Sequence, residues 1–573
     1  MRRNSMRKQQ PSQPIPPDTD HSQQTNQSDA ASLPTVPAEA HQESAEKRQR
    51  GSARAGMAVI AGRTAGALSR RLHIGGGTSI IGVVAQRVYP DIVAHLATEL
   101  EHGSIMVTGT NGKTTTSSFI AAILRDDGLR VWRNREGSNL VGGVASSLVI
   151  RAQPNGHLRR SGAAISILEV DEAALPKLVR AIPPRIVVFT NLFRDQLDRY
   201  GEVDSVVNKW KIAIAQLPAS TTLILNADDP TITQLGENFP GRIIYYGIDD
   251  IQLEAAEPAE TDTEKRYQVL DTRTCAHCGA EYEYSARFYS HMGHYYCPSC
   301  GKRRPTPDIR ISRVEMESFD RIRLQIATGE EAAHEIIVPL PGLYNIYNAL
   351  AAAAVAHAMK IGWDAVTTGI EQSKPVFGRG ERIQVEGRTI RLLLAKNPTG
   401  FNEVLRTLFS DNSSRHILFI LNDNIADGQD ISWIWDVDFE RAVHHIETLV
   451  VSGTRAFDLA LRMQYAGVDE QKIMVVPPTP LKALKTLHTT HSRQQKKLHI
   501  RRAKKDNVEY NTQENIKLPE YVYGIKNALD GALQKTPVGE TLFIVPTYTA
   551  LLELHRELEQ RGFTSRYWEG RDA

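Results

Sequence analysis

Cysteine and long apolar runs are scarce in this sequence, and their scarcity excludes several classes of protein. The 573 residues include only four cysteines, which excludes a disulfide-stabilised secreted scaffold. No apolar run reaches the roughly 18 residues that a membrane-spanning helix requires. The opening residues, MRRNSMRKQQPSQP, lack the apolar core of a secretory signal. We therefore expect a cytoplasmic protein.

An excess of charge of either sign is also missing. The chain has 68 basic and 66 acidic residues, a net charge of +2. No global field therefore favours nucleic acid or an anionic membrane. The length exceeds one ordinary domain and predicts two or three.

Aromatic residues are absent before Tyr89. Residues 1–55 are rich in Gln, Ser, Pro, Ala and charge, a composition that predicts a disordered tail. A second irregular stretch, residues 493–505, holds seven basic residues and no acidic one. We interpret it as part of a solvated insertion over about 488–516 rather than as a specific anion contact, because charge runs are usually solvated.

The most informative stretch that is present reads SIMVTGTNGKTTTSSF, at residues 104–119. Its apolar start predicts a buried strand, and the apolar spacing after it predicts a helix. Glycines between the two let backbone N–H groups turn toward a phosphate at the positive end of that helix. The residues predicted to bind ATP here are Thr108, Gly109, Thr110, Asn111, Gly112, Lys113, Thr114 and Thr115.

This loop fits the general phosphate-binding pattern only in its second half, because Val107 stands where the first glycine is usual. Lys113 would add a point charge and Thr114 a hydroxyl for Mg²⁺. The alternative is an ordinary strand-to-helix turn. Elsewhere, short apolar segments such as 186–189, 222–225, 416–421 and 448–451 alternate with helical patterns, which predicts an α/β fold with parallel sheets.

The four cysteines form two C-x-x-C pairs, and each pair is followed by glycine. This is the spacing of a structural zinc ribbon, whose four thiolates leave no open position for catalysis. The predicted ligands are Cys275, Cys278, Cys297 and Cys300. We expect the nearby His277, His291 and His294 to be surface residues rather than ligands.

Several further motifs occur in the order found in the Mur ligases, which the sequence therefore resembles. They are TGTNGKTTT at 108–116, EVDE at 169–172, TNLFRDQLDRYGE at 190–202, LNADDP at 225–230, LPGLYNIYNALAAAA at 340–354 and FGRGER at 377–382. Four features narrow the resemblance to the branch that supplies the synthetase subunit of lipid II isoglutaminyl synthase. They are RLHIGGGTSIIGVVAQRVYPD at 71–91, the four-cysteine ribbon, KNPTGFNEVL at 396–405 and NDNIADGQDISWIWDVDFE at 422–440.

The resemblance implies a Mur-type central P-loop ATPase domain over 56–374, with the zinc ribbon inserted at about 272–304. A Rossmann-like α/β domain would follow over 375–573. The implied reaction is ATP-dependent amidation of the D-glutamate α-carboxylate of lipid II through an acyl phosphate. Ammonia would come from a GatD-like glutamine amidotransferase in a heterodimer, and the lipid-linked substrate would place the enzyme at the inner face of the membrane.

The resemblance also implies roles for individual residues. Thr114 and Glu169 would hold Mg²⁺, Glu169 at the carboxyl end of a predicted strand. Asn345 and Asn348 resemble the adenine side of the nucleotide site, although a helix cap would also explain them. Arg379, in the predicted hinge, would reach ATP, although an exposed linker arginine is the alternative. Asp171 and Glu172 are either further metal ligands or solvated acids at a helix start.

In this branch one aspartate completes the Cys-His pair of the glutaminase. Asp427, beside Gly428, is the first candidate here, and Asp430 is the second. Either could instead cap a turn or a helix.

Two departures from other Mur ligases favour this branch. Leu393 replaces the aspartate that would contact ribose, and Lys209 and Lys211 only flank the place of a carbamylated lysine. Two other functions stay open, a stand-alone Mur-type amino-acid ligase and a zinc-ribbon ATPase that binds nucleic acid.

Overall fold

A computed structural model describes most of the chain from residue 45 onwards. The described residues are 45–71, 78–134, 139–159, 162–195, 203–253, 272–329, 331–375, 377–411, 413–478 and 524–564. A helix begins at Ala45, inside the predicted tail, and the rest of that tail lies outside the described residues. The predicted basic insertion at 488–516 also lies outside them.

The first part of the chain alternates strands and helices, as its sequence predicts. Its strands are β1 (Ser104–Thr108), β2 (Arg130–Arg133), β3 (Ala164–Glu169), β4 (Ile186–Phe189), β5 (Thr222–Asn226), β6 (Arg242–Ile248), β7 (Glu283–Tyr289), β8 (Met292–Tyr296), β9 (Ile309–Ser318), β10 (Arg321–Thr328) and β11 (His334–Val338). Its helices are α1 (Ala45–Arg71), α2 (Thr78–Val88), α3 (Ile92–Ala97), α4 (Lys113–Asp126), α5 (Val141–Arg151), α6 (Leu175–Ala181), α7 (Val203–Ile214), α8 (Pro230–Thr233), α9 (Leu343–Met359) and α10 (Trp363–Glu371).

Within the described residues, nine of these strands form one sheet in the order β11-β10-β9-β6-β5-β4-β1-β3-β2. The strands from β9 to β2 are parallel to one another, and β10 and β11 add antiparallel pairs at one edge. Every residue of β1 is buried, which explains its uninterrupted apolar run. From β1 the chain passes to β2 at the sheet edge, comes back to β3 beside β1, and then crosses to β4 on the other side of β1. This reversal is a topological switch point, where open α/β sheets bind ligands.

The C-terminal part forms a second, mostly parallel sheet, and the predicted α/β class is confirmed for both parts. Its strands are β12 (Arg379–Val385), β13 (Arg388–Leu393), β14 (Arg415–Ile420), β15 (Ile446–Ser452), β16 (Ile473–Val476) and β17 (Thr541–Pro546). Its helices are α11 (Pro398–Leu408), α12 (Ala456–Tyr465), α13 (Gly524–Lys535) and α14 (Tyr548–Gln560). Among the described residues the sheet order is β12-β13-β17-β14-β15-β16.

The β7–β8 hairpin stands apart as a separate two-stranded sheet, antiparallel and flanked by the two cysteine pairs. Across the described ranges, no helix combines the length and the apolar character needed to cross a membrane.

Candidate active site

The loop between β1 and α4 has the geometry of a phosphate-binding loop because two glycines take conformations that other residues rarely adopt. Gly109 has φ of 134° and Gly112 has φ of 87°. A Cβ atom on Gly109 would lie 2.1 Å from Thr190 Oγ1, and one on Gly112 would lie 2.1 Å from Asn348 Oδ1. The backbone therefore passes too close to its neighbours for any side chain at these positions.

We predict that Gly112→Ala destabilises the protein by about 1–2 kcal/mol for the left-handed backbone, and further for the clash with Asn348. Gly128→Ala is the matched control, because Gly128 has a similar φ of 85° but no atom near its Cβ position. Chemical denaturation of both variants and of wild type measures how much unfolding free energy each substitution removes. Equal losses of unfolding free energy would show that Asn348 does not constrain the loop.

The segment after β4 holds this loop in place. Thr190 Oγ1 donates to the carbonyl of Asn111 at 2.8 Å. Asn191 Oδ1 accepts from the Asn111 N–H at 2.9 Å. Phe193 N–H donates to Thr110 Oγ1 at 3.0 Å. Sequence reasoning gave these residues no role, although their position after a strand adjacent to β1 could have indicated one.

Lys113 forms a buried ion pair with Glu172. Its Nζ lies 2.7 Å from Glu172 Oε1 and also donates to the carbonyls of Gly109 and Thr110. Burial raises the pKa of Glu172, and the positive charge of Lys113 opposes that shift. Glu172 and Asp171 are both buried, so the interpretation of them as solvated acids is wrong. The fold places both at the turn before α6, beneath the loop, where Asp171 Oδ1 accepts from the Ala173 N–H.

Thr114 and Glu169, the predicted magnesium ligands, lie side by side. Thr114 Oγ1 donates to Glu169 Oε2 at 2.9 Å. Asn134 fixes the Glu169 backbone with two hydrogen bonds, of 2.8 and 2.9 Å. A hydroxyl and a carboxylate next to a phosphate-binding loop are the hard oxygen donors that Mg²⁺ prefers, so these residues fit that ion.

Two arginines approach this pair from different parts of the chain. Arg133 Nη2 lies 3.4 Å from Glu169 Oε1. Arg379 Nη2 lies 3.5 Å from Thr114 Oγ1, so the hinge arginine does reach the loop. Arg133 was missed by sequence reasoning, although it ends β2 at the same edge of the sheet.

Asn345 and Asn348 are buried at the start of α9, and their amides bond within the protein. Asn345 Nδ2 donates to the Pro341 carbonyl at 2.7 Å, and Asn348 Nδ2 donates to Asn345 Oδ1 at 3.0 Å. Thr116 Oγ1 donates to Asn348 Oδ1 at 3.1 Å, which ties α9 to α4. Neither amide caps α9, whose N-cap is Gly342 and lacks a side-chain hydrogen bond, and adenine contact stays a prediction.

The C-terminal part meets the loop through the start of α11. Asn397 Nδ2 donates to Asn111 Oδ1 at 3.2 Å. Lys396 Nζ lies 2.5 Å from Asp195 Oδ2. Burial alone would lower the pKa of Lys396, but the nearby carboxylates of Asp195 and Glu172 raise it. Leu393, by contrast, is part of the apolar core.

The four cysteines converge on one point, as their spacing predicts. Their sulfur atoms all lie within 4.8 Å of one another. In each pair, backbone hydrogen bonds close a tight turn that ends on Gly279 or Gly301, both with positive φ. Burial would raise the pKa of Cys275, but the backbone N–H groups of His277 and Cys278 lower it to about 6. Four thiolates in this arrangement fit a tetrahedral zinc ion.

The three nearby histidines are not part of this cluster, but one of them is not at the surface either. His291 is fully buried, with Nε2 3.3 Å from Asp229 Oδ1 and its ring 4.8 Å from that of Phe193. The expectation that it is a surface residue is therefore wrong, because the β7–β8 hairpin folds back onto the central sheet. His277 is exposed, and His294 is half-buried against the carbonyl of Ile248.

We expect the purified protein to contain one zinc ion and Cys275→Ser to lose it. The hairpin packs on Phe193, whose backbone holds the phosphate-binding loop, so zinc loss should also weaken ATP binding. Elemental analysis and nucleotide titration of both proteins test this. Tyr296→Ser, at an exposed position on β8, is the control. Wild-type protein purified without chelator and free of zinc would refute the prediction.

Comparison with known proteins agrees with this arrangement. Residues 107–288 match the family described as Mur ligase middle domain, and residues 394–503 match the MurT ligase C-terminal family. The MurT subunit of the glutamine-hydrolyzing lipid II isoglutaminyl synthase of Staphylococcus aureus (strain COL) is 33% identical, over 72% of this chain and 87% of that protein. The chain belongs to the MurT family. The MurT subunit of Streptococcus pneumoniae (strain ATCC BAA-255 / R6) is 34% identical over 73% of this chain and 88% of that protein.

Solved structures with the same fold include more distant ligases. A pseudomurein peptide ligase type C from Methanothermus fervidus has a TM-score of 0.53 at 20% identity, covering 80% of this chain and 78% of that one. MurF from Acinetobacter baumannii has a TM-score of 0.51 at 16% identity, and the match covers 83% of this chain and 79% of that one. These two structures support the Mur ligase fold.

Within the MurT C-terminal match, the structure distinguishes the two candidate aspartates. Asp427 is 2% exposed, and its Oδ1 accepts from the Thr549 N–H at 2.8 Å, in the first turn of α14. Burial raises its pKa, and the Thr549 hydrogen bonds oppose the shift. Asp430 is exposed, and hydrogen bonds from Ser432 lower its pKa. Asp427 thus caps a helix, and Asp430 faces solvent.

Proposed function

We propose that this protein is the synthetase subunit of a lipid II isoglutaminyl synthase, which amidates the D-glutamate α-carboxylate of lipid II at the expense of ATP. The observation that carries the proposal is the group Lys113, Thr114 and Glu169 at the sheet switch point, in a chain of the MurT family. Phosphoryl transfer needs positioning and charge more than covalent chemistry, and this group supplies both.

In the first step, an oxygen of the substrate carboxylate attacks the γ-phosphorus of ATP. The bond from that phosphorus to the β-phosphate oxygen breaks, and ADP leaves. During this transfer Lys113 would exchange its contact with Glu172 for the phosphate oxygens, while Arg133 and Arg379 would stabilise the transferring group. Thr114 and Glu169 would hold a magnesium ion, which would supply positive charge beside the phosphates.

In the second step, ammonia attacks the acyl carbon of the resulting acyl phosphate. The carbon–nitrogen bond forms, the bond from that carbon to the phosphate oxygen breaks, and nitrogen releases its extra proton. Phosphate and D-isoglutamine are the products. The attack by ammonia distinguishes this reaction from that of a stand-alone amino-acid ligase, in which an amino acid would be the nucleophile.

The ammonia would come from a GatD-like glutaminase subunit. All four cysteines of the chain lie in the four-cysteine cluster, which leaves none as a glutaminase nucleophile. Exposed Ile425 and Trp435 lie in the same segment as Asp430, and exposed Tyr465 packs against Trp435. Exposed apolar groups of this kind favour a protein partner. We propose that Asp430, rather than Asp427, completes the partner's Cys-His pair.

The direct test uses the purified protein with a GatD-like partner, lipid II, ATP and glutamine labelled at its amide nitrogen. We expect the label in the α-amide of the lipid-linked peptide, with ADP and phosphate formed in equal amounts. Replacement of glutamine by free amino acids is the control. Transfer of an amino acid instead of ammonia would favour the stand-alone ligase.

A further inference from the structure

The N-terminal helices carry a charge that the whole chain does not. Residues 47–90 contain eight basic residues and no acidic one, although the full sequence is almost neutral. The basic residues are Lys47, Arg48, Arg50, Arg54, Arg63, Arg70, Arg71 and Arg87. Arg54, Arg71 and Arg87 are exposed along α1 and α2. This segment therefore has a local positive field that the global charge balance conceals.

The same two helices expose large apolar side chains. On α1 these are Met57, Ile60 and Leu68, and on α2 they are Ile80, Val83 and Val88, each between 38% and 58% exposed. Positions 57, 60 and 68 fall on one side of α1, while Ala55, Ala58 and Val59 pack into the core on the other. Both sides of α1 are thus apolar, and among the described residues only one of them is covered. We call the six exposed residues and their neighbouring arginines the α1–α2 surface.

The helices beneath this surface pack closely against each other. A Cβ atom on Gly62 would lie 2.6 Å from the Ile81 carbonyl oxygen, and one on Gly82 would lie 2.1 Å from the Gly142 carbonyl oxygen. The backbones of α1, α2 and α5 are therefore in direct contact. Such contact fixes the spacing of the two helices that carry the exposed side chains.

The α1–α2 surface is also connected to the active site through residues 139–142. Val83 packs over Gly142, where a Cβ atom would lie 2.9 Å from Val83 Cγ2. Leu140, just before α5, is exposed, and the carbonyl of Asn139 accepts from the Asp171 N–H at 3.1 Å. One short segment therefore joins this surface to the edge of the sheet that carries Glu169.

Two carboxylates that follow α3, those of Glu99 and Glu101, are engaged within the protein. Glu99 bonds His157 at 2.6 Å and the Leu158 N–H at 2.6 Å. Glu101 accepts from the Ala163 N–H at 2.6 Å. Both are hydrogen-bonded with residues 157–163 rather than with the basic residues of α1 and α2.

We propose that the α1–α2 surface lies in the interface of an anionic lipid membrane, with its apolar side chains among the acyl chains and its arginines at the head groups. Apolar residues flanked by basic ones are the combination that binds such interfaces without crossing them. The inference rests on the proposed function in one respect, because a lipid-linked substrate must be reached from the membrane plane.

The test is co-sedimentation of the full-length protein with vesicles of phosphatidylcholine alone or mixed with phosphatidylglycerol. We expect binding to the mixed vesicles, weakened by salt. A basic residue near the membrane contributes about a factor of five, so the double variant Arg54→Ala, Arg87→Ala should bind roughly 25-fold more weakly. Leu68→Glu should bind the mixed vesicles at least about tenfold more weakly than wild type. Ile212→Glu, at a similarly exposed helical position on α7, should bind as wild type.

Two outcomes would overturn the inference. One is equal binding by wild type and Leu68→Glu. The other is binding of duplex DNA as tight as that of anionic vesicles, with Leu68→Glu unaffected. Amidation of a short-chain, water-soluble lipid II analogue separates this inference from the proposed function. If wild type amidates the analogue but ignores anionic vesicles, only the membrane assignment fails. Vesicle binding without any amidation would refute the proposed function alone.

Discussion

Lys113→Ala should lower the rate of ATP-dependent amidation roughly 100- to 1,000-fold, with glutamine and with free ammonia alike. The reason is that Lys113 is the cation nearest to the phosphate-binding backbone, with Nζ bonded to the carbonyls of Gly109 and Thr110. Its loss removes charge that the transferring phosphoryl group needs. The measurement is the rate of ADP and amide formation at saturating ATP.

The same substitution leaves Glu172 buried without its cation, so folding must be controlled. Glu172→Gln also breaks the pair but keeps Lys113, and it should retain far more activity than Lys113→Ala. Lys211→Ala removes an exposed lysine bonded to Gln234 and should behave as wild type. If folded Lys113→Ala protein amidates at a near-normal rate, the nucleotide site has been assigned to the wrong loop.

Asp430→Asn should suppress glutamine hydrolysis by the assembled complex roughly 1,000-fold or more, because an amide cannot stabilise the imidazolium that forms in the partner. Free ammonium at mildly alkaline pH bypasses that step. The variant should therefore still amidate lipid II with ammonium, whereas Lys113→Ala should fail with both nitrogen sources. Parallel assays of glutamate release and of amide formation distinguish a loss of glutamine hydrolysis from a loss of amidation.

Asp427→Asn is the matched control for Asp430→Asn, since it removes the same charge three residues earlier. Its expected effect is a loss of about 1 kcal/mol of stability, because the carboxylate caps the first turn of α14. Glutamine hydrolysis should persist. If Asp427→Asn abolishes hydrolysis and Asp430→Asn does not, the buried residue must become accessible in the complex, and our assignment is wrong.

The features that sequence predicted correctly are local ones. The strand–loop–helix of residues 104–126 and the two C-x-x-C pairs depend on residues within a few positions of each other. Periodicity and spacing record such neighbours directly. The pairing of Thr114 with Glu169 was also anticipated, because parallel strands bring their carboxyl ends to one edge of a sheet.

The partners that sequence could not supply are distant in the chain. Asn111 is bonded by Thr190 and Asn191, and Asp427 by Thr549, across separations that no local pattern encodes. The sequence left Glu172 open between a metal ligand and a solvated acid, and only the fold places Lys113 beside it. A loop glycine next to Asp427 suggested a presented side chain, but exposure depends on α14, which follows more than a hundred residues later.

The most direct test of the central claim follows an oxygen atom. Lipid II with a heavy isotope at both oxygens of the D-glutamate α-carboxylate is incubated with the protein, its glutaminase partner, ATP and glutamine. If an acyl phosphate forms at the Lys113–Glu169 site, mass spectrometry will find one heavy oxygen in each phosphate released and an amide at the same carbon. Amidated lipid II accompanied by unlabelled phosphate would contradict the account.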